Sequence, residues 1–265
     1  MTKRIPYWHV DAFADRIFTG NQAAVMLLDV WLDDSTLQAI GAENAFAETA
    51  FVVPASDGGK AYALRWFTPS IEVDLCGHAT LAAGHVLLSL HPDREAVRFA
   101  TRRSGVLEVR RLGSGYELAL PAIPVGPGQW PEAVAAMGMR QRELWRSPKG
   151  YTLLLLADAS EVERLAPDFP ALAVLGNETF IATAPGIDTD IVSRVFVPGA
   201  GIDEDSVTGA AHAVLTPFWA ARLGRERFSA FQASARGGLL DCRLDGARVW
   251  LGGGCVTVVE GGFGL

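Results

Sequence analysis

The sequence predicts an α+β protein built from two similar halves, each a mostly antiparallel sheet rolled around one central helix. Three observations lead there. Three short runs recur in the same order: Glu48-Thr49-Ala50-Phe51-Val52-Val53-Pro54 is echoed by Glu178-Thr179-Phe180-Ile181-Ala182-Thr183-Ala184-Pro185, Arg65-Trp66-Phe67-Thr68-Pro69 by Arg194-Val195-Phe196-Val197-Pro198, and Asp74-Leu75-Cys76-Gly77-His78-Ala79 by Asp205-Ser206-Val207-Thr208-Gly209-Ala210-Ala211. Their offsets, 130, 129 and 132 residues, place a repeat at about half of the 265-residue chain. Two runs, Ala79 to Leu90 and Ala210 to Leu223, are apolar nearly all round, the mark of a helix buried on every side. Finally, strand candidates outnumber helices and mostly follow one another directly, which favours antiparallel sheet over βαβ units.

The elements follow in order. Ser35 to Ala45, introduced by Asp33-Asp34, reads as an amphipathic helix with Leu37 and Ile40 inward. Phe51–Val53 and Ala63–Phe67 are runs of β-formers closed by Pro54 and Pro69, and Phe180–Ala182 and Ile191–Val197 match them in the second half. Each pair leads through a polar turn with an acid and a glycine into its apolar helix. Gly224 is the expected stop of the second helix, and Pro217 should kink that helix or displace its start. Further strands are expected at 97–100, 106–109, 116–120, 151–157, 239–244, 249–251 and 256–259. The linker between halves is placed near Leu112–Gly115, and Pro121–Pro131 is read as a long loop. This sets domains at 1–114 and 115–255.

Composition narrows the function. A net charge of −7, with no basic stripe, argues against nucleic acid, and 49% hydrophobic residues describe a folded globular chain. The run Met1–Tyr7 turns polar at His9 and Asp11, unlike a signal peptide, and the longest apolar run, Leu81–Leu90, is half a bilayer at most. Three cysteines without CxxC spacing suggest neither disulfides nor zinc, and point to the cytoplasm. There is no G-x-S-x-G, Walker A or H-E-x-x-H motif, Gly252-Gly253-Gly254 opens no helix as a dinucleotide fingerprint would, and the histidines show no metal-ligand grouping, so no metal is expected.

Chemistry is expected at the two glycine-opened helix starts, Gly77-His78-Ala79 and Gly209-Ala210-Ala211, whose free N–H groups suit a carboxylate or phosphate. One such turn alone is more often a tight entry to a buried helix; two related by duplication would face each other across a cleft. Glu48, a carboxylate inside the apolar run Ala45–Phe51, suits proton transfer, although a lone Glu is more often solvent-facing. At a helix start His78 is expected neutral, and Cys76 is expected as a low-pKa thiol. Asp205 is either a site carboxylate or a helix cap. The absence of a thiol at Val207 or Thr208 speaks against a two-thiol mechanism.

These residues carry a resemblance. Asp11-Ala12-Phe13, Phe18-Thr19-Gly20-Asn21, Glu43 to Phe51, Phe67-Thr68-Pro69, Glu72 to Thr80, Gly201 to His212 and Gln232 to Gly238 together resemble the PhzF-type phenazine-biosynthesis isomerase family over nearly the whole chain. The resemblance implies the diaminopimelate-epimerase-like fold, with the last strand, about 256–265, returning to the first domain. It implies a cofactor-independent, homodimeric isomerase acting on a small carboxylated substrate. The family's catalytic carboxylate falls on Glu48, and its site histidine and aspartate on His78 and Asp205. Asn21, Cys76, Gly77, Ala79, Thr208, Gly209 and Ala210 are taken as the substrate-binding set. Ala210 stands where the phenazine enzyme has a serine, so one side-chain contact to substrate is lost, and Gln22 stands where proline is common. An amino-acid racemase or epimerase, or a non-catalytic binding protein on the same fold, is the alternative.

Overall fold

The structure, a computed structural model, describes residues 4–55, 61–140 and 143–265; Met1–Lys3 of the N-terminal run read above lie outside it. The chain divides into two compact units, Met1–Leu120 with Leu251–Leu265, and Pro121–Trp250.

The first unit contains β1 (Arg4–Ala12), β2 (Asn21–Leu27), α1 (Asp34–Asn44), β3 (Glu48–Pro54), β4 (Tyr62–Phe67), β5 (Glu72–Val73), α2 (Gly77–Leu90), β6 (Ala96–Thr101), β7 (Val106–Leu112) and β8 (Gly115–Pro121). The C-terminal strand Cys255–Gly264 lies antiparallel along all of β1. From there the sheet runs β1, β2, β3, β4, β6, β7, β8. It packs on α2, which is buried from Gly77 through Leu88 with only His85 partly exposed. A helix with no polar face needs cover on every side, and a curled sheet supplies it. On the sheet's other face α1 is capped by Asp33, whose carboxylate accepts from Thr36 N, and lays Leu37 and Ile40 onto Met26, Phe51 and Phe67.

The second unit repeats the plan. Its elements are β9 (Gly126–Gly128), α3 (Pro131–Ala136), β10 (Leu144–Ser147), β11 (Tyr151–Leu155), α4 (Ala159–Glu163), α5 (Phe169–Ala173), β12 (Thr179–Pro185), β13 (Ile191–Val197), β14 (Ile202–Asp205), α6 (Gly209–Leu223), β15 (Arg227–Gln232), β16 (Gly238–Asp245) and β17 (Arg248–Gly253). The strand Cys255–Gly264 is β18. Here the sheet runs β9, β10, β11, β12, β13, β15, β16, and α6 is its buried helix. Among the described residues no helix is long and apolar enough to cross a membrane.

Four expectations are corrected. Leu112–Gly115 is no linker but a hairpin turn between β7 and β8, with Gly113 at φ +57°; the units part at Leu120/Pro121 instead. The stretch 121–131 is not all loop, since β9 pairs with β10. The sheets are mostly antiparallel, as expected, but βαβ units are present: β4 and β6 are parallel with α2 as their crossover, and β13 and β15 repeat this around α6. Each central helix is therefore the middle of a βαβ unit, a pattern hidden because β5 and β14 intervene between strand and helix. Pro217 does not displace the start of α6, which runs unbroken from Gly209 to Leu223. Proline lacks the N–H that would meet the Ala213 carbonyl, and the Ile123 N–H donates to that carbonyl at 3.0 Å in its place.

Candidate active site

In the first unit the sheet and α2 bring four predicted residues together. Glu48 opens β3, beside Ala23 of β2, so its side chain shares a face with Asn21 two residues upstream. His78 is the second residue of α2, and Cys76 is that helix's N-cap. His78 Nε2 lies 3.1 Å from Glu48 Oε2. On the other edge of the ring, Asn21 Nδ2 lies 3.2 Å from Nδ1, and Cys76 Sγ lies 3.6 Å from the same nitrogen. Asn21, His78 and Cys76 are all buried, whereas the Glu48 side chain keeps 17% of its surface exposed. The Glu48 side chain is thus the member of the group that meets solvent, although its Oε2, against His78, is itself buried.

Two electrostatic expectations are overturned. Burial, reinforced by the Glu48 carboxylate, pushes the Cys76 thiol up to about 11. A helix start lowers a thiol only when the thiolate can be solvated or paired with a cation, and Cys76 is fully enclosed. His78 is not held neutral. Burial works against its charge, but the Cys76 sulfur and the Glu48 carboxylate outweigh it and place the ring well above the usual histidine range. With Cys76 kept as a thiol, the carboxylate is the effective partner. A full charge at 3.1 Å exceeds the half charge of a helix end.

Glu48, Cys76 and His78 each present one donor atom within 4.8 Å of the others. The sulfur lies against Nδ1 and Glu48 Oε2 lies against Nε2, a charge pair by distance in which neither Nε2 nor Oε2 makes a well-aligned hydrogen bond among the described residues.

The second unit assembles the other predicted residues. Thr208 caps α6, as Cys76 caps α2, and neither side chain bonds its helix's first N–H groups. The Thr208 hydroxyl instead donates to Asp205 Oδ2 at 2.6 Å, and Thr208, not Asp205, is the N-cap residue of α6. Gly209 and Ala210 follow on the first turn of α6, where Gly77 and His78 stand on α2. Gln232, fully buried at the end of β15, accepts from Thr208 N at 2.8 Å and donates to the Asp205 carbonyl at 2.7 Å. Sequence reasoning gave Gln232 no role, although the run Gln232-Ala233-Ser234 was a visible signal; Ser234 likewise holds the Ser206 carbonyl at 2.7 Å. In the first unit, Ser104 does this for the Asp74 carbonyl at 2.7 Å.

Both units also pin the strand that leads into the helix. Arg65 on β4 grips Glu72 of β5 with two bonds, 2.7 and 2.8 Å, and Arg194 on β13 grips Glu204 of β14 with two at 2.8 Å. Paired, planar contacts of this kind fix direction as well as distance. The arginines were visible in the sequence repeat, but their partners were not, since the spacing from Arg to Glu differs between the halves.

A two-unit α+β chain of this plan, each unit a mixed sheet around a buried helix, defines a class of fold shared with epimerases. The solved hydroxyproline epimerase of Agrobacterium vitis, with bound trans-4-hydroxy-L-proline, has it at a TM-score of 0.63 and 11% identity, covering 100% of this chain and 94% of that one. A closer likeness is the crystal structure of a phenazine biosynthesis protein of the PhzF family from Enterococcus faecalis, with a TM-score of 0.91 and 40% identity over 99% of this chain and 100% of that one. An uncharacterized isomerase of Pseudomonas aeruginosa is 45% identical over 260 residues, 97% of this chain and 98% of its own. The model of the PhzC-PhzF family, phenazine biosynthesis-like protein, matches residues 10–124 and 133–261, and the chain belongs to that family.

Proposed function

We propose that this chain is an isomerase that moves a proton on a small carboxylated substrate, with Glu48 as the group that takes the proton from carbon and returns it. The observation that carries this reading is the Glu48–His78 pair, 3.1 Å apart at the start of a buried helix, with the Glu48 side chain partly exposed and the ring buried. A proton carrier must be reachable, and its charge must be held by a fixed partner while the proton is away. His78 supplies that partner. The first-turn N–H groups of α2, which no side chain caps, favour a substrate carboxylate and the enolate-like charge that grows as the proton leaves. Asp205 and the Gly209 helix start keep the substrate-holding role that the family resemblance gives them.

The proton-moving group, Glu48, is a side chain, so the reaction as proposed needs no resident cofactor. One such shuttle contributes about 10² to 10⁴ in rate, leaving the remainder to electrostatics and positioning. The reading includes a homodimer in the cytoplasm; light scattering on the purified chain checks the first part. Thr208 stands where a second thiol would be, which weighs against a two-thiol racemase.

The test is a panel of carboxylated metabolites incubated with the wild-type chain in deuterium oxide and read by mass spectrometry. At least one should gain a carbon-bound deuterium. Tight binding of a panel member with no deuterium gained in any of them would identify a binding protein on this fold instead.

A further inference from the structure

We propose that Asn21 is a positioning residue that keeps a proton on Nε2 of His78, the ring nitrogen nearest Glu48, by filling Nδ1 with an amide N–H. The proposal rests on the reading of Glu48 as the proton carrier and adds why His78 cannot compete with it as a base.

The geometry is enclosed on every side. Gly20 turns the chain at φ +67°, and a Cβ there would meet the Ala12 carbonyl oxygen at 2.3 Å, so the position accepts only glycine. That turn delivers Asn21, 3% exposed, to the first position of β2, against a histidine that is also 3% exposed. An amide nitrogen only donates, and a neutral imidazole has one N–H and one lone pair. With Asn21 Nδ2 at 3.2 Å from Nδ1, the lone pair belongs to Nδ1 and the proton to Nε2. The opposite tautomer would set two N–H groups face to face in a buried place and leave Nε2 bare toward a carboxylate 3.1 Å away.

When the ring takes a second proton, it takes it on Nδ1, where the Cys76 sulfur at 3.6 Å and the turned amide oxygen of Asn21 can accept. The charged groups and titratable groups facing the ring are therefore Glu48 on β3 and Cys76 ahead of α2, with neutral Asn21 on β2 between them and the sheet. In both ring states Nε2 keeps its proton on the ring edge that lies against Glu48. The nitrogen that titrates is Nδ1.

Nitrogen-15 NMR of histidine-labelled protein reads this directly, with the His78 signals assigned by their loss in His78→Gln. Wild type should show a directly bonded proton on Nε2 at every pH from 6 to 10, while Nδ1 alone changes. In Asn21→Asp a carboxylate accepts from Nδ1–H, so the doubly protonated ring should persist to a pH at least about one unit higher, and the pH limit of deuterium exchange should move with it. Asn21→Leu should let an Nδ1–H neutral form appear, and should lower kcat by about tenfold to a hundredfold, the usual cost of losing a group that orients a site histidine. A wild-type ring protonated on Nδ1 and bare on Nε2 would overturn the proposal, and this needs no variant to fold. The spectrum needs no substrate either. A wild-type Nε2–H with no metabolite exchanging deuterium would leave the role of Asn21 standing and remove the isomerase reading.

Discussion

His212 and Thr80 hold equivalent places on α6 and α2, and each bonds the carbonyl four residues back. Thr80 donates its hydroxyl to Cys76 O, and His212 donates Nδ1–H to Thr208 O at 2.9 Å. The histidine does this at a cost in acid. It is fully buried, its Nε2 has no hydrogen-bond partner among the described residues, and burial pulls its pKa down to about 4. The unfolded chain takes up a proton near pH 6.5 that the folded chain refuses until about pH 4. Stability therefore falls as pH drops through that window and is level above it, by up to about 3 kcal/mol if the whole shift counts. Urea midpoints measured from pH 4 to 8 should show this slope, and His212→Thr, which copies the other half, should flatten it. A slope unchanged in that variant would assign it to other groups. At this scale the residue types of the site were legible from sequence, but their charge states were not. His78 and Cys76 were read from a helix end alone, while Glu48, brought in from another strand, and full burial decide both.

At the scale of elements, the two buried helices were legible because an apolar run without a polar face admits one solution, and Pro217 shows where that reading stopped. Whether a proline breaks a helix depends on a donor far away in sequence, here Ile123, reaching the carbonyl it frees. Gly84 poses a similar question on α2. Alanine is the better helix former by about 1 kcal/mol. A Cβ at this position, however, would lie 2.4 Å from a methyl of Val109, a fully buried residue of β7. Overpacking of this kind costs about 1–3 kcal/mol, so Gly84→Ala should lower the melting temperature despite its propensity. Adding Val109→Ala should recover part of the loss, as double-mutant denaturation would show; simple additivity of the two losses would contradict the contact. The parallel strand order was not legible for a related reason. Pairing between β4 and β6 is settled across the whole length of α2, and nothing in either strand's own alternation declares its direction.

At the scale of the whole molecule, the repeat in the sequence anticipated two units of one plan, and misjudged where they part because the Gly113-Ser114 turn has the composition of a linker. The chain crosses between units at Leu120/Pro121 and returns at Trp250/Leu251. Unit two is thus continuous and unit one is not. Expressed alone, 121–250 should unfold cooperatively in urea, whereas 1–120 should not unless 251–265 is supplied, since β1 then loses its antiparallel partner along its full length. Cooperative unfolding of 1–120 by itself would show β18 to be dispensable. The proton-carrying role of Glu48 is the claim on which the functional account depends, and one comparison reaches it most directly: carbon-bound deuterium gained from solvent by an exchanging carboxylated metabolite with wild type and with Glu48→Gln. The account predicts that the variant still binds the metabolite, because the helix start and His78 remain, and that its exchange falls by at least about 10²-fold. Exchange at the wild-type rate in a folded Glu48→Gln protein would contradict it.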